Sequence, residues 1–274
     1  MDYFYFNFSK TSLGLQCLFT LELLNDFFIS EKYKENKNKT IKPPKYITIY
    51  SDALKLINSF ENSNNLPNKK SHSNFINAAS LFKTILKKVF NPREQQDIHE
   101  FIRLFLSEIQ DELNPIIDKK ITQSNAGQTL EVNWENYLKT NTSIVDYLFS
   151  LQIKTKLQCL ECKKSKEIYE ICLDLSLPIV KSNETNNKKA DKKTTQKESS
   201  FTIYHCLSKF FEDETINEYN CQFCKKKVKS VKNSYISKSP KILLIHLKRF
   251  KTYPRKQKIS DKIEFPFERL DLKK

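Results

Sequence analysis

Cysteines are the residues whose spacing most invites chemistry here, and the chain has seven of them. Four form two C-x-x-C units, Cys159-Leu160-Glu161-Cys162 and Cys221-Gln222-Phe223-Cys224. A two-residue gap lets both thiolates of a unit turn toward one ion, and two units complete a tetrahedral four-sulfur site of the kind that holds structural zinc. Lysines follow each unit, as Lys163-Lys164 and as Lys225-Lys226-Lys227, and their charge favours the thiolate form that a metal requires. The units lie much further apart than in a compact zinc ribbon, so the ion would join segments distant along the chain. Neither unit opens a helix after a strand, which argues against a thioredoxin-type redox dithiol. Cys172 and Cys206 fall on apolar β-like and helical faces, where packing is the expected role. Cys17 lies in the apolar, helix-like stretch "NFSKTSLGLQCLFTLELLNDFF", without the electropositive surroundings that activate a thiol.

The elements that must position these residues read as helices first and strands later. Residues 12–30 carry Leu15, Leu18, Phe19, Leu23, Phe27 and Phe28 at roughly helical period after the candidate cap Ser12. Residues 31–50, rich in lysine and asparagine and containing Pro43 and Pro44, read as an exposed connection, and 51–60 as a short helix. The clearest helix is "NPREQQDIHEFIRLFLSEIQDEL", with Ile98, Phe101, Ile102, Phe105, Ile109 and Leu113 on one face and Pro115 as its stop. From about residue 144 the period becomes β-like. The polar stretch 181–200 has no large apolar anchor and is expected to be disordered. "FTIYHCLSKFFEDE" reads as a helix, "PKILLIHLKRF" as a buried strand, and "KIEFPFERLDLKK" as a strand with a proline break. The order predicts an α+β architecture.

Composition bounds the rest. With 274 residues, 39% hydrophobic and 12% aromatic, the chain is long and apolar enough to build a core. Its net charge of +15 comes from lysines spread along the whole length, which reads as a solvated basic surface rather than a nucleic-acid site. "MDYFYFNFSK" lacks the basic start and apolar run of a signal peptide, and no stretch of about 20 apolar residues occurs. The expectation is an intracellular protein of cytoplasm or nucleus, without a membrane span and with reduced cysteines.

Taken in order, the motifs resemble the ubiquitin-specific proteases, papain-like cysteine hydrolases that remove ubiquitin. "REQQDIHEF" is similar to their Q-Q-D-x-x-E-F motif, and "WENYLKTNTSIVDYLFSLQIKTKLQCLEC" to the approach to their first zinc knuckle. "EICLDLSLPI", "YNCQFCKKKV", "ISKSPKILLIHLKRF" and "KIEFPFERLDL" match further blocks in order. The resemblance implies a hand-like fold: a helical thumb over 1–118, zinc-pinned β fingers over 119–240 carrying the 181–200 insert, and the first palm strands over 241–274, the C-terminal part of the palm being absent. It implies structural zinc on Cys159, Cys162, Cys221 and Cys224. It also implies ubiquitin as partner, with Asp97 and Glu100 gripping the arginines of its tail through carboxylate–guanidinium bonds. The plainer role for Asp97 and Glu100 is to favour the start of their helix.

The catalytic box of that family, G-L-x-N-x-G-N-T-C-Y-x-N-S-x-L-Q-x-L, laid without gaps, puts Leu15-Gln16-Cys17-Leu18 on L-Q-x-L. Ser9 then stands at the nucleophile's position and Phe4 at the oxyanion asparagine. A rival register sets Gly14-Leu15-Gln16-Cys17 on G-N-T-C and makes Cys17 the nucleophile, at the expense of the downstream matches. The general-base histidine of the family belongs to a G-H-Y-like box after "EFPFERLDL", and none of His72, His99, His205 and His246 falls in such a box. The resemblance therefore implies either an inactive ubiquitin-binding pseudoprotease or a piece of an active deubiquitinase, with a protein partner covering the incomplete palm. A spliceosomal scaffold member of the family and a basic zinc-containing nucleic-acid binder are the alternatives.

Overall fold

The computed structural model describes residues 14, 17–38, 40, 45–63, 97–115, 130–179, 201–251 and 257–272. Phe4, Ser9, Ser12, Leu15, His72 and the 181–200 insert lie outside the described residues. The chain divides into two compact units, Met1–Ser124 with Glu131–Ser150, and Asn125–Leu130 with Leu151–Lys274.

The first unit is helical: α1 (Glu22–Ile29), α2 (Tyr33–Asn36), α3 (Tyr46–Ser63), α4 (Ile98–Leu113), α5 (Leu130–Thr140) and α6 (Ile144–Phe149). α4 forms where its apolar spacing demands, burying Phe101, Ile102, Phe105, Ile109 and Leu113, with Leu106 added. Those side chains meet Leu24, Phe28, Ile47, Tyr50 and Leu54 from α1 and α3 in one aromatic-rich core, where Phe28 and Tyr50 lie 4.7 Å apart between ring centroids. Each such fully buried side chain stabilises the unit by about 1.5–3 kcal/mol.

Three sequence readings change in this unit. The helix expected over 12–30 is interrupted at Thr20, whose hydroxyl donates to the Cys17 carbonyl at 2.7 Å and competes with the helical ladder. The interruption resets the phase, so Leu24 is buried while Leu23 is 54% exposed. The connection expected over 31–50 instead contains α2 and the first turn of α3, with Tyr46, Ile47, Ile49 and Tyr50 buried. α3 begins there because the buried Glu112 carboxylate accepts from the N–H groups of Lys45 (2.6 Å), Tyr46 (2.9 Å) and Ile47 (2.7 Å), groups the helix itself cannot satisfy. Residues 144–149 are a helix, not a strand, because Ser143 and Asp146 form a capping box. Asp146 is buried and also accepts from Gln110 at 2.5 Å and from Tyr137, which fixes α4 and α5 against α6.

The second unit carries the sheets. Strands β1 (Leu151–Cys159), β2 (Ser165–Cys172), β4 (Glu214–Asn220) and β5 (Lys227–Lys238) form an antiparallel sheet in the order β2-β1-β5-β4. β3 (Leu175–Pro178) pairs in parallel with β6 (Ile245–Lys248), and β7 (Phe250–Lys251) with β8 (Gln257–Lys258). α7 (Ile203–Phe210) packs on β3, and a core gathers Leu151, Ile153, Leu175, Leu177, Ile203 and Leu207. The strand expected to be fully buried, β6, is only four residues long and half-buried. Over its described residues, 262–272, "KIEFPFERLDLKK" is not a strand: Glu264 makes one bridge to Thr202, and Phe265 and Phe267 are 61% and 94% exposed. Pro266 between them has no N–H with which to extend a ladder.

Candidate metal centre and recognition residues

The two C-x-x-C units occupy equivalent places. Cys159 ends β1 and the turn 160–164 leads into β2; Cys221 follows β4 and the turn 222–226 leads into β5. Each is therefore the tip of an antiparallel hairpin. Because β1 pairs with β5, with Cys159 opposite Ser230, both tips meet at the same end of the sheet. The turns also share their backbone bonds. Cys159 N–H donates to the Lys164 carbonyl and Cys221 N–H to the Lys226 carbonyl, both at 3.0 Å. The residue after each second cysteine is left-handed, Lys163 at φ 58° and Lys225 at φ 52°. Sequence reading missed this role for the two lysines, although both occupy the same fifth position of the repeated C-x-x-C-K pattern.

The four sulfurs lie within 4.8 Å of one another. Cys159 Sγ stands 3.9 Å from Cys224 Sγ, and Cys162 Sγ stands 3.7 Å from Cys221 Sγ. Zinc–sulfur bonds of about 2.3 Å in a tetrahedron place the sulfurs about 3.8 Å apart, so the donor set fits such an ion. The separations are far too long for disulfides, and all four cysteines are free. Hydrogen bonding from the Cys224 backbone N–H lowers the Cys221 thiol to about 7, and the bond to Cys221 pushes Cys224 up to about 12. For Cys162 the Lys164 backbone bond lowers the thiol, but burial and the neighbouring cysteines raise it overall. Of these three, Cys221 ionises most readily, while Cys162 and Cys224 hold their protons more firmly; a bound metal ion would favour the thiolate form of its ligands.

Elsewhere the expected site residues are placed as follows. Asp97 is the N-cap of α4, its Oδ1 accepting from His99 N–H at 2.8 Å, and Glu100 lies exposed in the first turn. Cys17 is exposed, in helical backbone that ends at Phe19. That is the partly negative end of a helix, whereas a nucleophilic cysteine draws on a helix N-terminus. A Cβ at Gly14, one turn before Cys17, would stand 3.1 Å from Ile98 Cγ1 and 3.3 Å from Ile102 Cγ1, so glycine there permits close packing on α4. His205 binds Thr202 and stacks on Phe201. His246 Nδ1 lies 3.1 Å from Ser176 Oγ, which donates to Asp174 at 3.1 Å. The serine in that trio sits between the acid and the imidazole, whereas acyl transfer needs the imidazole in the middle.

Fold and cysteine geometry define a protein of mixed helix and sheet, with a helical unit and a β-sheet unit that carries a four-cysteine cluster, and comparison with known proteins gives that class its name. The family model for ubiquitin carboxyl-terminal hydrolase matches residues 11–274, and the chain belongs to that family. Human ubiquitin carboxyl-terminal hydrolase 3 is 33% identical over 204 residues, which cover 71% of this chain and 38% of the relative. Bovine ubiquitin carboxyl-terminal hydrolase 2 is 26% identical over 273 residues, covering 94% and 41%. Among solved structures, the SAGA Ubp8/Sgf11/Sus1/Sgf73 DUB module bound to ubiquitin aldehyde aligns with a TM-score of 0.58 at 21% identity, over 92% of this chain and 48% of the other. The ubiquitin-specific-protease fold expected from the sequence is thus the observed one. The chain spans about two fifths of the length of these two curated relatives.

Proposed function

We propose that these 274 residues recognise ubiquitin, that Cys159, Cys162, Cys221 and Cys224 hold zinc, and that the stretch by itself does not hydrolyse the ubiquitin bond. The observation that carries the reading is the four-sulfur cluster in a chain matched to the ubiquitin hydrolase family along nearly its whole length. When bound, zinc cross-links the two hairpin tips. The chain's own residues act separately in the two units: β5 aligns the hairpins in the second, and in the first Asp97 and Glu100 present carboxylates at the start of α4 for the arginines of a ubiquitin tail. The likeness to a ubiquitin-aldehyde-bound module supports ubiquitin as the partner.

The absence of hydrolysis follows from the register of the catalytic box. Ser9 stands where a cysteine attacks, and a hydroxyl is far less acidic than a thiol and needs an aligned base. The test is incubation with ubiquitin carrying a C-terminal thiol-reactive electrophile, beside a ubiquitin titration and metal analysis. Binding without adduct, and about one zinc per chain through its four-thiolate site, is the expected result. An adduct at Cys17 would establish the rival register, and failure to bind ubiquitin would remove the recognition role.

A further inference from the structure

Ser230 is fully buried, and its Oγ has no hydrogen-bond partner among the described residues. It lies on β5 directly opposite Cys159 on β1 and opposite Ile216 on β4. Residues opposed across antiparallel strands share a face, with Cβ atoms about 4.5–5.5 Å apart. Ser230 also shares its face of β5 with Val228, two residues earlier, which is buried together with Cys159 and Cys221 at the hairpin tips. The side chain therefore stands at the inner border of the thiol cluster. A buried hydroxyl without an acceptor is disfavoured, and one beside a metal ligand has an evident use.

We propose that Ser230 is a positioning residue for the four-cysteine metal centre: its hydroxyl turns to donate a hydrogen bond to the metal-bound Cys159 thiolate. This rests on the metal reading above. A divalent ion leaves excess negative charge on four thiolate sulfurs, and an O–H donor withdraws part of it from one of them. The hydrogen bond also fixes the rotamer of Cys159, the ligand at the end of β1, whose pairing with β5 aligns both hairpins. Without the metal the cysteine is a poor acceptor, so the hydroxyl is left without a partner.

The two forms of the protein therefore respond to Ser230→Ala with opposite signs, which a purely structural serine would not produce. The full chain and its S230A variant are titrated with zinc against a competing chelator. Both are then loaded with cobalt(II), and the metal-free and zinc-loaded forms are melted. Expected are zinc binding weakened about tenfold, a sulfur-to-cobalt charge-transfer band moved to longer wavelength, and a metal-free melting point equal to or above that of the parent. Unchanged zinc affinity or an unmoved band overturns the proposal, because the hydroxyl then does not touch the thiolate. Equal destabilisation of the metal-free and loaded forms overturns it in favour of packing. A parent chain that takes up no zinc removes the metal reading itself, and this role with it.

Discussion

Glu112 offers a direct test of how the helical unit is held. Its carboxylate is 4% exposed and accepts three backbone N–H groups at the start of α3, while its own carbonyl accepts from Asn38 N–H at 2.7 Å. A backbone N–H bonded to a charged acceptor contributes about 1.5–3 kcal/mol, so three set a ceiling of about 5–9 kcal/mol. Desolvating the carboxylate takes back several kcal/mol, and water entering the vacated space in a truncated variant limits the loss. Glu112→Ala is therefore expected to cost about 3–5 kcal/mol. Glu112→Gln keeps one oxygen for two of the N–H groups and turns an amide N–H₂ toward the third, for about 1.5–3 kcal/mol. Trp134, the single tryptophan, stacks on Tyr137 in α5 and reports on this unit. Urea unfolding followed by its fluorescence should show the E112A midpoint lowered by at least about 1 M, with E112Q between. A loss below about 1 kcal/mol for E112A, or a larger loss for E112Q, would mean that α3 holds its first turn without the carboxylate.

Other expectations follow from the same geometry. Burial pushes the phenols of Tyr50 and Tyr137 well above their usual range, and Asp146 adds to the effect on Tyr137. The unfolded chain ionises near pH 10 while the folded one does not. Stability is then full below about pH 10 and falls as pH rises, by about 1.4 kcal/mol per pH unit for each phenol. Tyr137→Phe should flatten that slope by one phenol's share in urea melts between pH 9 and 11. Lys163→Gly and Lys225→Gly should each stabilise the metal-loaded protein by up to about 1 kcal/mol, because an L-residue is strained at their positive φ. A lower melting point for either would show that the lysine side chain outweighs the strain. Asp97→Asn keeps an oxygen for the His99 N–H but loses the charge, so stability should stay within about 0.5 kcal/mol. Calorimetry should show ubiquitin affinity lowered about tenfold, and unchanged affinity would leave Asp97 a cap alone.

The legible parts of the sequence were those with a strong local signal. α4 announces itself by six apolar positions on one face and a proline stop, and the metal cluster by two identical spacings. What was hidden depended on partners distant in sequence. Nothing in residues 45–47 signals a helix start, because the group that caps them is Glu112, more than sixty residues away. α6 carried its capping box openly in Ser143 and Asp146, but six residues are too few for a period to emerge against the strand that follows. The break at Thr20 turned on one hydroxyl choosing a carbonyl, which apolar periodicity does not weigh. "KIEFPFERLDLKK" looked like a strand because its aromatics alternate, yet Pro266 removes the donor between them.

If the four cysteines hold zinc as proposed, they also decide how the four-stranded sheet responds to its removal. At one end Leu151 and Ile153 of β1 join a large apolar core. At the other, the buried apolar cluster among the described residues is small: Cys159, Cys221 and Val228, with Cys162, Tyr219 and Cys224 packed against them and the buried Ser230 opposite Cys159. β4 has no fully buried residue along its length and is held by β5 and by the turn that ends in Cys224. A patch this small gains little from burial, so on the proposed zinc reading coordination would supply what packing does not. Chelating the metal should then release the sheet from its tips. Amide exchange should rise over 157–159, throughout β4 and over 227–231, while Leu151 and Ile153 keep their protection. Uniform loss of protection along β1 would mean that the sheet unfolds as one body. No change at the tips would mean that hydrogen bonding between β1 and β5 suffices without the ion.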